Sequence, residues 1–301
     1  MFGIIFSVAL LIVLPIVFIG VLWKANFKTK LEWLLDVLTT SVLLIWLFQS
    51  GNWSWVGYFF RYLWLGLFIV ALMISWKKMR SLPFTIKYDK NQKSSIGIHV
   101  FLLLVFGAYN VFIFPSYSVN EESIELEFPL RQGTYYVGHG GNSTQMNYHH
   151  AYESQKFALD ILKLNKLGIR ASGLYPKDLY KYAIYGDELF SPCNGKVVES
   201  RNDLPDLTPP EMNPENPEGN YVALVCEQHE ATLFLAHMQK GSVKVVEGEE
   251  VKTGQLLGKV GNSGNTSEPH LHIHAELDGK GVPITFNDRF LVRNSLVRTG
   301  K

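Results

Sequence analysis

Net charge is scarce in this sequence. Its 301 residues carry 28 Lys and Arg against 27 Asp and Glu, a formal net charge of +1. No basic surplus marks it as a nucleic-acid binder. Cysteine is nearly missing too, with only Cys193 and Cys226. Both sit at the ends of predicted strands, and they are either one disulfide or two reduced buried thiols. No low-complexity tract and no internal repeat stand out. The apolar stretch at residues 2–23 lacks the leading positive charge of a cleaved signal peptide, and it is too long for one.

The few charges are unevenly placed. Residues 1–115 hold ten Lys and Arg and three Asp and Glu, whereas residues 116–301 hold eighteen and twenty-four. The basic part is also the apolar part, which points to a membrane region joined to a soluble domain. Four apolar runs occur at residues 2–23, 31–48, 55–76 and 96–114, the last closed by Pro115. A bilayer takes about 20 residues of helix, so each run reads as a transmembrane helix. Few ionisable residues lie inside the runs, among them Asp36 and Arg61 near helix ends. That paucity favours an anchor or sensor over a transporter.

Lys24, Lys28 and Lys30 follow the first run, and Lys77, Lys78, Arg80, Lys87, Lys90 and Lys93 follow the third. The connection at residues 51–54 is uncharged. The positive-inside rule makes the two basic loops cytoplasmic, and the N-terminus and everything after the fourth helix extracytoplasmic. Trp53, Trp55, Tyr58, Trp64, Trp76, Tyr109 and Tyr117 lie near the expected interfaces, as an aromatic belt or as packing residues. The chain therefore divides into a multi-pass membrane domain, residues 1–117, and an extracytoplasmic domain, residues 118–301.

In the second domain, short runs rich in β-branched and aromatic residues recur at 133–137, 195–199, 221–225, 231–236, 242–246, 255–260 and 270–277, punctuated by Gly, Pro, Asn and Asp. With no clear helix between them, they predict an antiparallel all-β sandwich or barrel. Residues 163–182 have room for a short helix. Residues 201–219, with five prolines and five acidic residues, predict a surface loop.

The chemistry concentrates in Pro269-His270-Leu271-His272-Ile273-His274, after a glycine-rich stretch. A strand sends residues i and i+2 to one face, so three imidazoles crowd together there. Such crowding is relieved by a metal, and imidazole is the commonest zinc ligand. A His-rich surface strand is the plainer reading.

Four elements decide between them in combination: a Gly-x-x-Val-x-x-Gly-Gln-x-Leu-Gly turn and strand at 248–258, the loop Asn262-Ser263-Gly264-Asn265-Thr266, Pro269-His270-Leu271-His272, and Ala236-His237 upstream. Together they resemble the M23 family of zinc metallopeptidases, the LytM- and lysostaphin-like peptidoglycan endopeptidases, over about residues 133–280. The resemblance implies a duplicated-hybrid-type β-domain and a Zn2+ held by an early His, an Asp and the second His of His-x-His. Carried over, these are His149, Asp160 and His272. The usual His-x-x-x-Asp spacing is absent, so His149 and His150 both compete for the first place, with Asn147 favouring His149 and residues 151–156 looping out. His139 is expected to be a surface or turn residue. Two imidazoles and one carboxylate leave a fourth position for water, whose pKa zinc lowers to about 7. His237 and His270 match the family's pair for proton transfer and oxyanion stabilisation, with their individual roles open. His274 is either a partner of the metal ligands or a plain surface residue. Glu268 stands where the family commonly has Gly.

The implied function is a membrane-anchored zinc metalloendopeptidase that cuts peptide cross-links of peptidoglycan. The alternative is a catalytically inactive M23-like domain that regulates or binds cell-wall hydrolases. A lipoyl-like domain shares the turn and strand but needs an exposed lysine at its hairpin tip, which is absent here.

Overall fold

The computed structural model describes residues 2–300 and separates them into two compact units, residues 2–114 and residues 115–300.

The first unit holds helices α1 (Phe2–Lys24), α2 (Lys30–Ser50), α3 (Phe60–Met79) and α4 (Lys90–Ile113). All four are long and apolar enough to cross a membrane. Two boundaries differ from the apolar runs. Trp53–Trp55 forms a separate 3-10 turn, with the Trp53 indole donating to Leu47 O at 2.9 Å, so α3 starts only at Phe60. The fourth helix begins at Lys90 rather than 96, because Asp89 and Gln92 exchange side-chain and backbone hydrogen bonds in a capping box. Polar side chains tie the helices together: Trp33 Nε1 donates to Ser75 Oγ at 3.0 Å, and Gln49 Nε2 to Asn110 Oδ1 at 2.9 Å. Of the expected belt, Trp53, Trp55 and Tyr58 are buried as packing residues, while Trp76 and Tyr109 stay exposed. Arg61 is buried too, its guanidinium 3.6 Å above the Phe48 ring.

The second unit is mostly antiparallel β-structure. Its strands are β1 (Ile124–Leu126), β2 (Gly133–His139), β3 (Leu159–Leu164), β4 (Glu188–Phe190), β5 (Gly195–Arg201), β6 (Asn220–Cys226) and β7 (Thr232–Met238). There follow β8 (Glu250–Val251), β9 (Leu256–Lys259), β10 (Leu271–Leu277), β11 (Lys280–Val282), β12 (Ile284–Phe286), β13 (Arg289–Phe290) and β14 (Leu296–Thr299). One sheet runs β14-β2-β3-β10-β7-β6-β5-β8, with β11 beside β10; β4 pairs with β9, and β1-β12-β13 forms a third, small sheet. The pairing of β1 with β12 is parallel, a departure from the all-antiparallel expectation.

Residues 242–246 form no strand. Their amides go to separate partners, Gln239 O, Asn202 Oδ1 and Leu257 O, instead of one ladder. Residues 163–182 hold a single 3-10 turn, Leu179–Lys181. Cys193 and Cys226 form a disulfide at the base of the β5–β6 hairpin, from which the 202–219 loop springs.

The site owes its position to alternation. In β10, Leu271, Ile273 and Ala275 enter the core while His272 and His274 take the opposite face. Likewise Leu159 and Ile161 of β3, and Leu233 and Leu235 of β7, point to the core. Asp160 and Ala236 are thereby left on the face that His272 shares.

Candidate active site

Strand register lines the site up. His272 pairs with Asp160 on one side and with Ala236 on the other, and Asp160 pairs with His139 across a bulge in β2. Four neighbouring strands thus present one row, perpendicular to their direction. His237 follows Ala236 at φ 61°, an unusual conformation for a residue with a side chain. Its amide leaves the ladder and donates to Glu218 O at 2.9 Å.

His149 reaches the same place from outside the sheet. It sits in a 3-10 turn, Tyr148–Ala151, where Asn147 Oδ1 accepts from the His149 amide. The Asn147 amide group donates to Gly141 O, Lys156 O and Ala158 O. One fully buried asparagine therefore closes the excursion between residues 147 and 158 and accommodates the long spacing from His149 to Asp160. His149 Nε2 lies 3.0 and 3.1 Å from the two Asp160 oxygens, and His272 Nδ1 lies 3.0 Å from Asp160 Oδ1. His149, Asp160 and His272 are all buried, with donor atoms within 4.8 Å of one another. Among the described residues His150 is in no such group; its ring lies edge-on to Phe157, centroids 6.4 Å apart.

His237, His270 and His272 form a second group with the same closeness. His237 Nδ1 lies 2.9 Å from Ser263 O and can donate only there, which leaves Nε2 with its lone pair. His270 Nδ1 lies 2.9 Å from Glu268 O, and His270 Nε2 lies 3.4 Å from Asp160 Oδ1. Burial pushes His237 well below the usual histidine pKa. Burial also opposes charge on His270, but the Asp160 carboxylate outweighs it and raises the pKa. Burial lowers His272 to about 4. Asp160 is held well below the carboxylate range, since His149 and His270 overcome the cost of its burial.

For two histidines the reading as a surface residue needs correction. His274 is only 4 % exposed, so it is no surface residue: its Nδ1 lies 3.0 Å from His272 Nε2, and its ring stacks on Phe234 at 4.8 Å. His139 is half-buried beside the site, accepting from Arg293 Nη2 at 2.8 Å and packed edge-on to Tyr148. Both corrections come from strand pairing, which a single histidine in a sequence does not reveal.

The rim carries residues that the sequence did not single out. Tyr148 lies against the His149 ring, centroids 4.0 Å apart. With Pro217, Glu218, His237 and His272 it lines a pocket of about 60 Å³. Glu218 comes from the proline-rich loop. From the segment between β3 and β4, Arg170 forms a buried ion pair with Glu268, and Tyr175 OH donates to Ser267 O at 2.8 Å. A glutamate in a position where the related motif has glycine was the one available sign of this pairing.

Residues 180–284 match Peptidase family M23. Lipoprotein NlpD of Yersinia enterocolitica is 31% identical over 97 residues, 32% of this chain and 84% of that protein. The chain belongs to peptidase family M23. His237, His270 and His272 fall within the M23 match, whereas His149 and Asp160 lie upstream of it. Among solved structures, a zinc-containing peptidase from Vibrio cholerae is 18% identical at a TM-score of 0.33, over 54% of this chain and 39% of that one. Lysostaphin from Staphylococcus simulans is 17% identical at a TM-score of 0.30, over 55% of this chain and 51% of that one.

Proposed function

We propose that this M23 chain is a membrane-anchored zinc metalloendopeptidase that hydrolyses peptide cross-links of peptidoglycan. The observation that carries the reading is the convergence of His149 Nε2, Asp160 Oδ1 and His272 Nδ1 at about hydrogen-bond distance in a buried row. Two neutral imidazoles and a carboxylate suit zinc, and three protein ligands are the set of a catalytic rather than a closed structural site. His149 is the first ligand in this reading rather than His150, because His149 Nε2 lies 3.0 Å from Asp160 Oδ1.

When bound, zinc supplies Lewis acidity for the scissile carbonyl and for water. The chain's own residues do the rest. His237 is held by Ser263 O with Nε2 facing the site, so it can take a proton there. His270, held by Glu268 O, presents Nε2 from the other side and can return one. Tyr148 and Glu218 border the place where a peptide would lie. Basic residues at one end of the four helices make that end cytoplasmic, which puts the β-domain outside, next to the wall.

The test is the metal content of the purified full chain, followed by digestion of purified peptidoglycan. About one zinc per chain, lost in His149→Ala, Asp160→Ala and His272→Ala but kept in His150→Ala, supports the ligand set. Release of new amino termini, lost in His237→Ala and His270→Ala with zinc retained, supports the peptidase. Zinc retention without any cleavage by the wild type would turn the reading to a regulatory M23 domain. A chain without zinc would overturn it.

A further inference from the structure

We infer that the groove between α2 and α3 is a binding site for an anionic glycerophospholipid, which sits with one acyl chain among Trp33, Val37, Leu72, Met73 and Trp76 and its phosphate at Lys77 and Arg80. The inference rests on the reading that the four helices cross a membrane.

The groove encloses about 540 Å³ and is lined by these residues. Met73, Trp76, Lys77 and Arg80 are spaced i, i+3, i+4 and i+7, so one face of α3 changes from apolar to cationic along its length. Trp33 and Val37 of α2, at i and i+4, form the facing wall. The one polar group in that wall is spent internally, because Trp33 Nε1 donates to buried Ser75 Oγ. The wall therefore offers hydrocarbon contact and no free donor. Trp33 and Trp76 meet edge to face, 5.4 Å apart, at the turn next to the cations. An indole at that level is what an interfacial position selects.

The cations are what distinguish this groove from a mere lipid-facing surface. Of the three at this end of α3, Lys78 is already engaged, its Nζ donating to Trp23 O at the end of α1. Lys77 and Arg80 are exposed, and among the described residues neither has a carboxylate within ion-pair distance. Two unneutralised cations a turn apart at the mouth of a hydrocarbon slot complement a headgroup that is anionic and covalently joined to an acyl chain. Basic pockets between helices on the cytoplasmic side recognise anionic headgroups by this means, at about fivefold in affinity per cation.

The experiment uses the full chain in vesicles of dioleoyl phosphatidylcholine, titrated with phosphatidylglycerol or phosphatidylcholine brominated on one acyl chain, with tryptophan quenching as the readout. Trp33→Phe and Trp76→Phe identify the signal from the groove. The expected result is stronger quenching by the brominated anionic lipid, with its relative affinity falling about fivefold in Lys77→Gln and again in Arg80→Gln but not in Lys78→Gln. Met73→Phe, a bulkier and stiffer side chain in the slot, weakens the preference. Equal quenching by both lipids overturns the inference, as does a loss in Lys78→Gln as large as in the other two, since general surface attraction would then suffice. A chain that fails to float with vesicles of either composition overturns the membrane reading itself, and that outcome is seen before any lipid preference is measured.

Discussion

His272 is held between two groups: its Nε2 lies 3.0 Å from His274 Nδ1, and its Nδ1 lies 3.0 Å from Asp160 Oδ1. An imidazole that donates Nε2–H to His274 keeps the Nδ1 lone pair free on the side where Asp160 and His149 converge. Stacking on Phe234 fixes the His274 ring in turn. A ligand's orientation is commonly set this way by its outer partner, and losing that partner costs about 10- to 100-fold in metal affinity. We expect His274→Phe to weaken zinc binding by about that factor, and His274→Gln, which keeps an acceptor, to weaken it less. Competition against a chromophoric chelator measures both. Equal affinities in wild type and His274→Phe would remove His274 from the site.

Arg170 and Glu268 form a buried pair, their side chains 3 % and 15 % exposed. Breaking a buried pair strands one charge, at about 3–5 kcal/mol, while replacing both partners with apolar residues costs far less. Arg170→Leu should therefore lower the urea stability of the β-domain by about that amount, and Arg170→Leu with Glu268→Leu should recover most of it. Glu268 O also holds His270, so the single variant is expected to lose activity as well. Simple additivity of the two substitutions would show that the pair is not coupled.

Cys193 and Cys226 are 33 positions apart and enclose the 202–219 loop. By chain entropy, such a crosslink contributes about 3–4 kcal/mol. Replacing both with serine should lower the denaturation midpoint accordingly without changing zinc content, since neither cysteine touches the site. Denaturation in urea, with zinc measured beside it, checks both halves.

Asp187 lies away from the site and accepts from Lys163 Nζ and Tyr135 OH, both at 2.9 Å. Burial pushes its pKa up, and the hydrogen bond from Lys163 only partly offsets this. A group whose folded pKa is raised contributes stability at pH below its unfolded value, about 3.9, that is lost as pH rises through the folded value. The advantage of the wild type over Asp187→Asn should therefore shrink as pH rises above about 4. Melting temperatures of both proteins between pH 3 and 7 test the sign; a growing advantage would contradict it.

Composition and order along the chain were enough for much of this. Long apolar runs with few charges make helices wherever they lie, and a chemical pattern as local as Pro269-His270-Leu271-His272 declares its donors from the sequence. What sequence could not decide depends on contacts between distant positions. Asn147 bonds to carbonyls on both sides of an excursion, and only that closure separates His149 from His150. Register between β2, β3 and β10 moves His139 to the edge of the site, and strand alternation with Phe234 behind it buries His274. The capping box at Asp89 and the 3-10 turn at Trp53–Trp55 reset two helix boundaries, because hydrogen bonds at an end outweigh the apolar pattern there. Which residues could bind a metal and which segments are apolar can be read along the chain, since both are properties of single side chains and their near neighbours. Which histidines share one carboxylate, and which cations stand unneutralised, were decided only by tertiary structure, because pairing and burial arise between residues that the chain keeps far apart.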